Sequence, residues 1–242
     1  MNKICKLSAI ALLASSTSLM AQSKSFEGVS LGLSASAIGV EASGRTSNTR
    51  TSANGSIGKV AEIAAVDLSY GFTVGSNGLI QVGASYTPGK AKIGSGNFND
   101  TSDPAVTTRS RDDDGSISLQ VKDPYTIYIA PTYAISKDAA IYFKVGYSKA
   151  DIETTASGSA ALSAKPSDLE GMTYGIGSKT MLTPNFYLGV EANITDYDAV
   201  SATRAAVAQT GNEGVGTGAQ AARTIRADVK TVQGVITVGY KF

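Results

Sequence analysis

Gln233-Gly234-Val235-Ile236-Thr237-Val238-Gly239-Tyr240-Lys241-Phe242, the stretch at the carboxyl end, decides the fold. In one register stand Val232, Gly234, Ile236, Val238, Tyr240 and Phe242, apolar except for Gly234. In the other stand Gln233, Val235, Thr237, Gly239 and Lys241, which are mostly small or polar. Successive side chains of a strand point to opposite faces, so one face requires an apolar medium and the other a polar one.

The same rhythm recurs through the chain. Val29, Leu31 and Leu33 alternate with Ser30, Gly32 and Ser34. Ala64 to Phe72 repeats it, and a short connection, Thr73–Gly78, leads into Ile80 to Tyr86. Tyr125 to Tyr133 follows, with Ile117, Leu119 and Val121 extending it. The turn Ser136-Lys137-Asp138 leads to Ile141–Ser148. Met172 to Lys179, the turn Thr183-Pro184-Asn185, and Phe186 to Ile194 precede the terminal run. That makes eight candidate strands. Between them, long polar segments (Ala42–Lys59, Pro88–Asp114, Lys149–Leu169, Asp196–Ala222) alternate with the three short turns. All long connections therefore fall on one side and all short ones on the other. A soluble sandwich has no reason to sort its loops this way; a membrane barrel does.

The aromatics agree. Tyr86, Tyr125, Tyr147 and Tyr174 stand on apolar faces at the long-loop ends. Tyr70, Phe72, Tyr133, Phe186, Tyr240 and Phe242 stand at the short-turn ends, with aliphatics between. Two girdles around an aliphatic band suit the two headgroup boundaries of a bilayer. No apolar run after the amino terminus is long enough for a spanning helix, which leaves a closed barrel as the way to cross lipid.

The amino terminus fits that destination. Lys3 and Lys6, the apolar run Leu7–Leu19 and Ala21 read as a secretory signal peptide over residues 1–21, leaving 22–242 as one barrel domain. Cys5 would leave with the signal peptide, so the mature chain would carry no disulfide. Removing Lys3 and Lys6 turns the formal charge of +1 into −1, and so near-neutral a chain argues against nucleic-acid binding.

The chain resembles the OmpA/OmpX/opacity-protein type of small outer-membrane β-barrel. Ile141-Tyr142-Phe143-Lys144-Val145-Gly146-Tyr147-Ser148, Tyr174-Gly175-Ile176-Gly177 and Val238-Gly239-Tyr240-Lys241-Phe242 carry the resemblance. It implies an all-β fold, an eight-stranded antiparallel transmembrane barrel with long extracellular loops and short periplasmic turns, in the outer membrane of a Gram-negative cell. It also implies that Val238, Tyr240 and Phe242 form the C-terminal signal read by the outer-membrane assembly machinery. Outer-membrane lipid and lipopolysaccharide are the expected surroundings, a monomer the expected state, and host or extracellular ligands the expected contacts of the loops.

Catalytic chemistry has little to work with. The chain has no histidine, which removes Ser-His-Asp and Cys-His catalysis and the usual zinc and haem sites, so no enzymatic activity and no cofactor are expected. Gly175-Ile176-Gly177-Ser178-Lys179-Thr180 resembles the end of a phosphate-binding loop. Met172 stands where its first glycine belongs, however, and the segment reads as a strand. Asp112-Asp113-Asp114-Gly115 lacks the spacing of a calcium loop and reads as a solvated loop tip.

The informative polar set faces inward: Asp67, Gln81, Lys144, Lys179, Glu191, Asn193 and Gln233. Charges inside a narrow barrel must be paired or hydrated. Two readings follow. The set is an interior plug of ion pairs and water, the barrel serving a structural or surface-interaction role. Alternatively it lines a small passive porin, with Lys144 and Lys179 setting anion preference.

Overall fold

The computed structural model describes residues 22–47, 53–98, 115–157, 162–164, 168–204 and 223–242. The signal peptide expected over residues 1–21 and the acidic run Asp112–Asp114 lie outside them. A short 3-10 helix, Gln22–Phe26, precedes ten strands: β1 Gly28–Ser47, β2 Ala53–Val74, β3 Gly78–Tyr86, β4 Lys90–Phe98, β5 Gly115–Ala134, β6 Ala139–Ser157, β7 Leu162–Ala164, β8 Asp168–Met181, β9 Phe186–Arg204 and β10 Arg223–Lys241. Eight of them form the wall. They follow one another as antiparallel neighbours, and β10 pairs with both β9 and β1, which closes the sheet on itself. The two remaining strands extend that wall at its long-loop end: β4 pairs with β5 and β7 with β9.

The eight expected strands are all present with the expected faces. Leu33, Leu68, Ile127, Ile176, Val190 and Ile236 are among the outward residues, each more than half exposed where lipid would cover it. The inner face of the same strands carries the buried Ser30, Gln81, Lys144, Lys179 and Glu191. Both girdles stand outward as the alternation requires. At the short-turn end Tyr240 meets Phe186 and Phe242 edge-on, with ring centroids 5.0 and 4.9 Å apart.

The polar segments are less loop-like than their composition suggests. β1 continues to Ser47 and β2 starts at Ala53, so much of Ala42–Lys59 is paired strand. Lys90–Phe98 is a strand inside Pro88–Asp114, and β6 and β9 run on to Ser157 and Arg204. The reason is that ladder hydrogen bonds need only backbone. Above the lipid both faces meet water, the apolar alternation ends, and the strand continues without it.

One part of the wall is interrupted. The ladder between β2 and β3 ends where Val66 faces Tyr86, at the girdle. Pro88 has no amide to donate, and Gly89 takes a positive φ of 111°. The bulge at Asp123, itself at φ 48°, secures this break against β5: the Gly89 amide donates to Asp123 Oδ1 (2.8 Å), and the Asp123 amide donates back to Gly89 O (2.9 Å). The Gly89 hydrogen bond is the main reason the Asp123 carboxyl titrates below its ordinary value. Beyond this point β4 pairs only with β5, and no ladder joins it to β2 among the described residues.

The terminal strand is also the seam. Its partners run from Ser30 opposite Lys241 to Ser47 opposite Thr224, and the Phe242 amide donates to Val29 O (2.9 Å). Deleting Phe242 removes this last bond and one ring of the girdle. Its outer-membrane level and its heat-modifiable band on gels should fall further than for any single substitution in the long connections; normal levels would refute a targeting role for this residue.

Candidate functional site

The barrel interior is built from inward residues of all eight wall strands, and all seven residues of the expected polar set line one cavity of about 380 Å³. Lys144 on β6 and Glu191 on β9 form its buried ion pair, with Nζ 2.6 Å from Oε2 and 2.7 Å from Oε1. Asn193 Nδ2 donates to the same Glu191 Oε1 (2.6 Å). Asp67 on β2 joins from across the barrel through a tyrosine: the Tyr128 hydroxyl sits 3.0 and 2.9 Å from the two carboxylate oxygens. Lys144 Nζ lies 4.2 Å from the centroid of that same ring. Asp67, Tyr128, Lys144, Glu191 and Asn193 thus form one continuous network.

The other members stand apart. Lys179 has no ion pair among the described residues; its ammonium lies 4.3 Å from the Tyr187 ring centroid, a desolvated cation–π contact worth about 2 kcal/mol. Gln233 Nε2 donates to Ser36 Oγ (2.7 Å), away from the charges. Gln81 is buried on the same inner face. Asn193 Oδ1 is buried with no donor among the described residues, pressed over Gly175, where an added Cβ would lie 2.1 Å from it.

Below and above the polar layer the barrel is apolar. At the short-turn end Phe26, delivered by the 3-10 helix, packs with Leu79, Ala134, Ala140, Met181 and Tyr187. Ser23 ties this helix to the first short turn, its hydroxyl donating to Ser76 O (2.9 Å). Gly71 leaves the room for it, since a Cβ there would lie 2.6 Å from Phe26 O. Toward the long-loop end Val40 and Val229 pack with Ala150 and Leu169 from the opposite wall.

These are the interior and the lipid belt of a membrane barrel, and comparison with known proteins agrees. Residues 9–242 match the model for an outer membrane protein beta-barrel domain. The chain belongs to that family. Its place is the cell outer membrane. Among solved structures, the outer membrane protein OprG from Pseudomonas aeruginosa aligns with TM-score 0.55 at 13% identity, covering 89% of this chain and 97% of that one. Ail, the attachment invasion locus protein of Yersinia pestis, aligns at 16% identity with TM-score 0.38, covering 87% and 99%. At these identities the likeness concerns the fold alone. No curated protein matches the chain in sequence.

Within this family barrel, three tyrosines and the Phe26 floor are what the polar set lacked. Tyr128, Tyr142 and Tyr187 point inward, and each faces a glycine directly across the ladder: Gly83, Gly177 and Gly239. The rings lie on those glycines so closely that a Cβ would come within 2.6, 2.4 and 2.2 Å of a ring atom or hydroxyl. The register of Tyr against Gly is the signal that could have found them. A hydroxyl chain joins four strands on the same face: Thr126 to Ser148 (2.6 Å), Ser148 to Thr173 (2.5 Å) and Thr173 to Thr195 (2.7 Å).

The central pair yields a sharp expectation. Lys144→Met alone strands Glu191 and should cost about 3–5 kcal/mol, whereas Lys144→Met with Glu191→Leu should recover most of that loss. Urea unfolding of the refolded barrel in vesicles measures both; equal losses in the single and double variants would refute the compensation.

Proposed function

We propose that the protein is a non-enzymatic, monomeric outer-membrane barrel with a closed lumen. Its role is structural or one of surface interaction. The wall extension and connections at the long-loop end contact host, ligand or envelope components, lipopolysaccharide included. The periplasmic short turns carry the plug.

One observation carries this reading: the apolar floor around Phe26. The residue is 1% exposed and sits beneath the polar cavity, and the cavity lining includes neither Phe26 nor Leu79. A water-filled path across the barrel would have to displace this packing, and losing it should cost about 3–5 kcal/mol for a buried phenylalanine. The Lys144–Glu191 pair also leaves Lys144 poorly placed to attract anions, which removes half of the charge the porin alternative relies on. The absence of histidine supports the non-enzymatic part.

Planar-bilayer recording separates plug from pore. Wild-type protein should stay at background conductance, while deletion of Gln22–Phe26 should produce discrete steps; steady steps from the wild type would instead favour the small passive porin. The outward role has its own measurement. Ser110→Cys should react with a membrane-impermeant maleimide on intact cells, and Lys137→Cys only after the outer membrane is permeabilised. The reverse pattern would overturn the assignment of the long connections to the outside.

A further inference from the structure

Above the lipid the wall does not continue as one cylinder. The β6–β8 ladder ends where Asp151 faces Asp168, and beyond it β6, from Ile152 to Ser157, pairs with β5 alone. On the other side of β5, β4 has no ladder with β2 among the described residues. Two seams thus cut out a three-stranded sheet: β4, Gly115–Lys122 of β5 and Ile152–Ser157 of β6. The remaining extension, β2, β1, β10 and β9 with β7 against β9, is a second sheet held by its own ladders.

The small sheet joins the barrel along a line of faults. Pro88 stands beside Gly89 at φ 111°, and Pro124 beside Asp123 at φ 48°. Neither proline has an amide for the ladder, and the two left-handed residues turn the chain out of the strand direction. The β5–β6 register shifts at the same height, where Ala150 alone stands opposite Asp123 and Pro124. Little spans this line. The reciprocal Gly89–Asp123 bonds do, with a bond from the Thr87 amide to Pro124 O (2.9 Å). Of the three strands, β6 runs through unbroken.

The ion pairs sort in the same way. Lys90 on β4 reaches over β5 to Glu153 on β6 (2.5 Å), which braces the small sheet from within. Lys149 holds Asp168 and Glu170 (3.1 and 2.8 Å), and Lys230 holds Asp196 (3.4 Å), all in the rest of the wall. Among the described residues no ion pair crosses either seam. At its root the small sheet rests on apolar contact, Val121 and Ile152 packing against Val40, Ala150, Leu169 and Val229. Such contact is non-directional and tolerates a change of angle that a hydrogen-bonded ladder does not. A body braced within, faulted along one line and without a ladder at either edge is a flap on a hinge. We infer that β4, Gly115–Lys122 and Ile152–Ser157 swing as one body about the line through Gly89, Asp123 and Ala150, while the barrel below stays closed. The wall extension to which outside contacts are assigned above then has a fixed part and a moving one.

Double electron–electron resonance on the refolded, heat-modifiable barrel in lipid nanodiscs tests this. Cys5 is the only cysteine of the chain and lies in the expected signal peptide, so cysteine pairs placed in residues 22–242 carry the only spin labels. Thr155→Cys with Asp228→Cys joins flap to fixed sheet. Ile127→Cys with Ile236→Cys spans the barrel below the hinge, and Lys92→Cys with Ser157→Cys lies within the flap. The flap-to-sheet distance distribution should be at least twice as wide as the other two. Asp123→Ala, which removes one hinge bond, should widen it further and leave the other two unchanged. A flap-to-sheet width equal to that of the barrel pair would overturn the hinge. A width within the flap as large as that between flap and sheet would overturn the single body. If Asp123→Ala does not fold, the three widths with Asp123 in place still decide. Conductance and partner binding do not enter these distances, so the hinge stands or falls apart from the plug and the surface role.

Discussion

A backbone amide or carbonyl in hydrocarbon has no water to turn to, and the rest of this structure depends on that constraint. Closure follows from it: β10 must pair on both sides, with β9 and with β1, or two edges would face lipid. The alternation follows as well, because a wall between lipid and lumen needs opposite solvents on its two faces. So does the place where the wall is allowed to fail. The β2–β3 ladder survives up to Val66 and Tyr86 and lapses beyond the girdle, where water can take over the unpaired groups. The Pro88 and Gly89 break would be untenable a turn lower.

Eight strands enclose a lumen only about as wide as the side chains that fill it, and this sets the second problem. Aliphatic filling on every inward position would erase the polar face. Here the filling is done by tyrosines laid on glycines, which occupy volume while offering a hydroxyl or a π-face to the charges. Tyr128 serves Asp67 with its oxygen and Lys144 with its ring; Tyr187 serves Lys179 in the same manner. Replacing any of the facing glycines would evict its ring, so a residue that looks like spare backbone in the sequence is a packing element of the interior.

The lipid belt was legible in the sequence because it rests on a period of two over long runs. All eight wall strands, both girdles and the inward position of all seven polar residues follow from that period. What it misses has physical causes. The strand extensions carry no apolar contrast above the lipid, so Ala42–Lys59 reads as loop although most of it is paired. Phe26 lies outside any strand, and a single apolar residue before β1 has no period to betray its burial. The partnering of the charges depends on which residues of distant strands share a level. Asp67 and Lys144 are bridged by Tyr128, a residue whose inward face was evident and whose role was not.

The two ends of the barrel solve unlike problems with the same economy. At the short-turn end a five-residue helix sets the Phe26 ring against Leu79, Ala134, Ala140, Met181 and Tyr187 in the bore. At the other end the wall rises beyond the lipid and lateral pairing can lapse, so β4 has its ladder with β5 and none with β2 among the described residues. A polar layer between two apolar ones is the consequence: the inward charges keep to the middle of the bore, where tyrosine hydroxyls and rings can partner them.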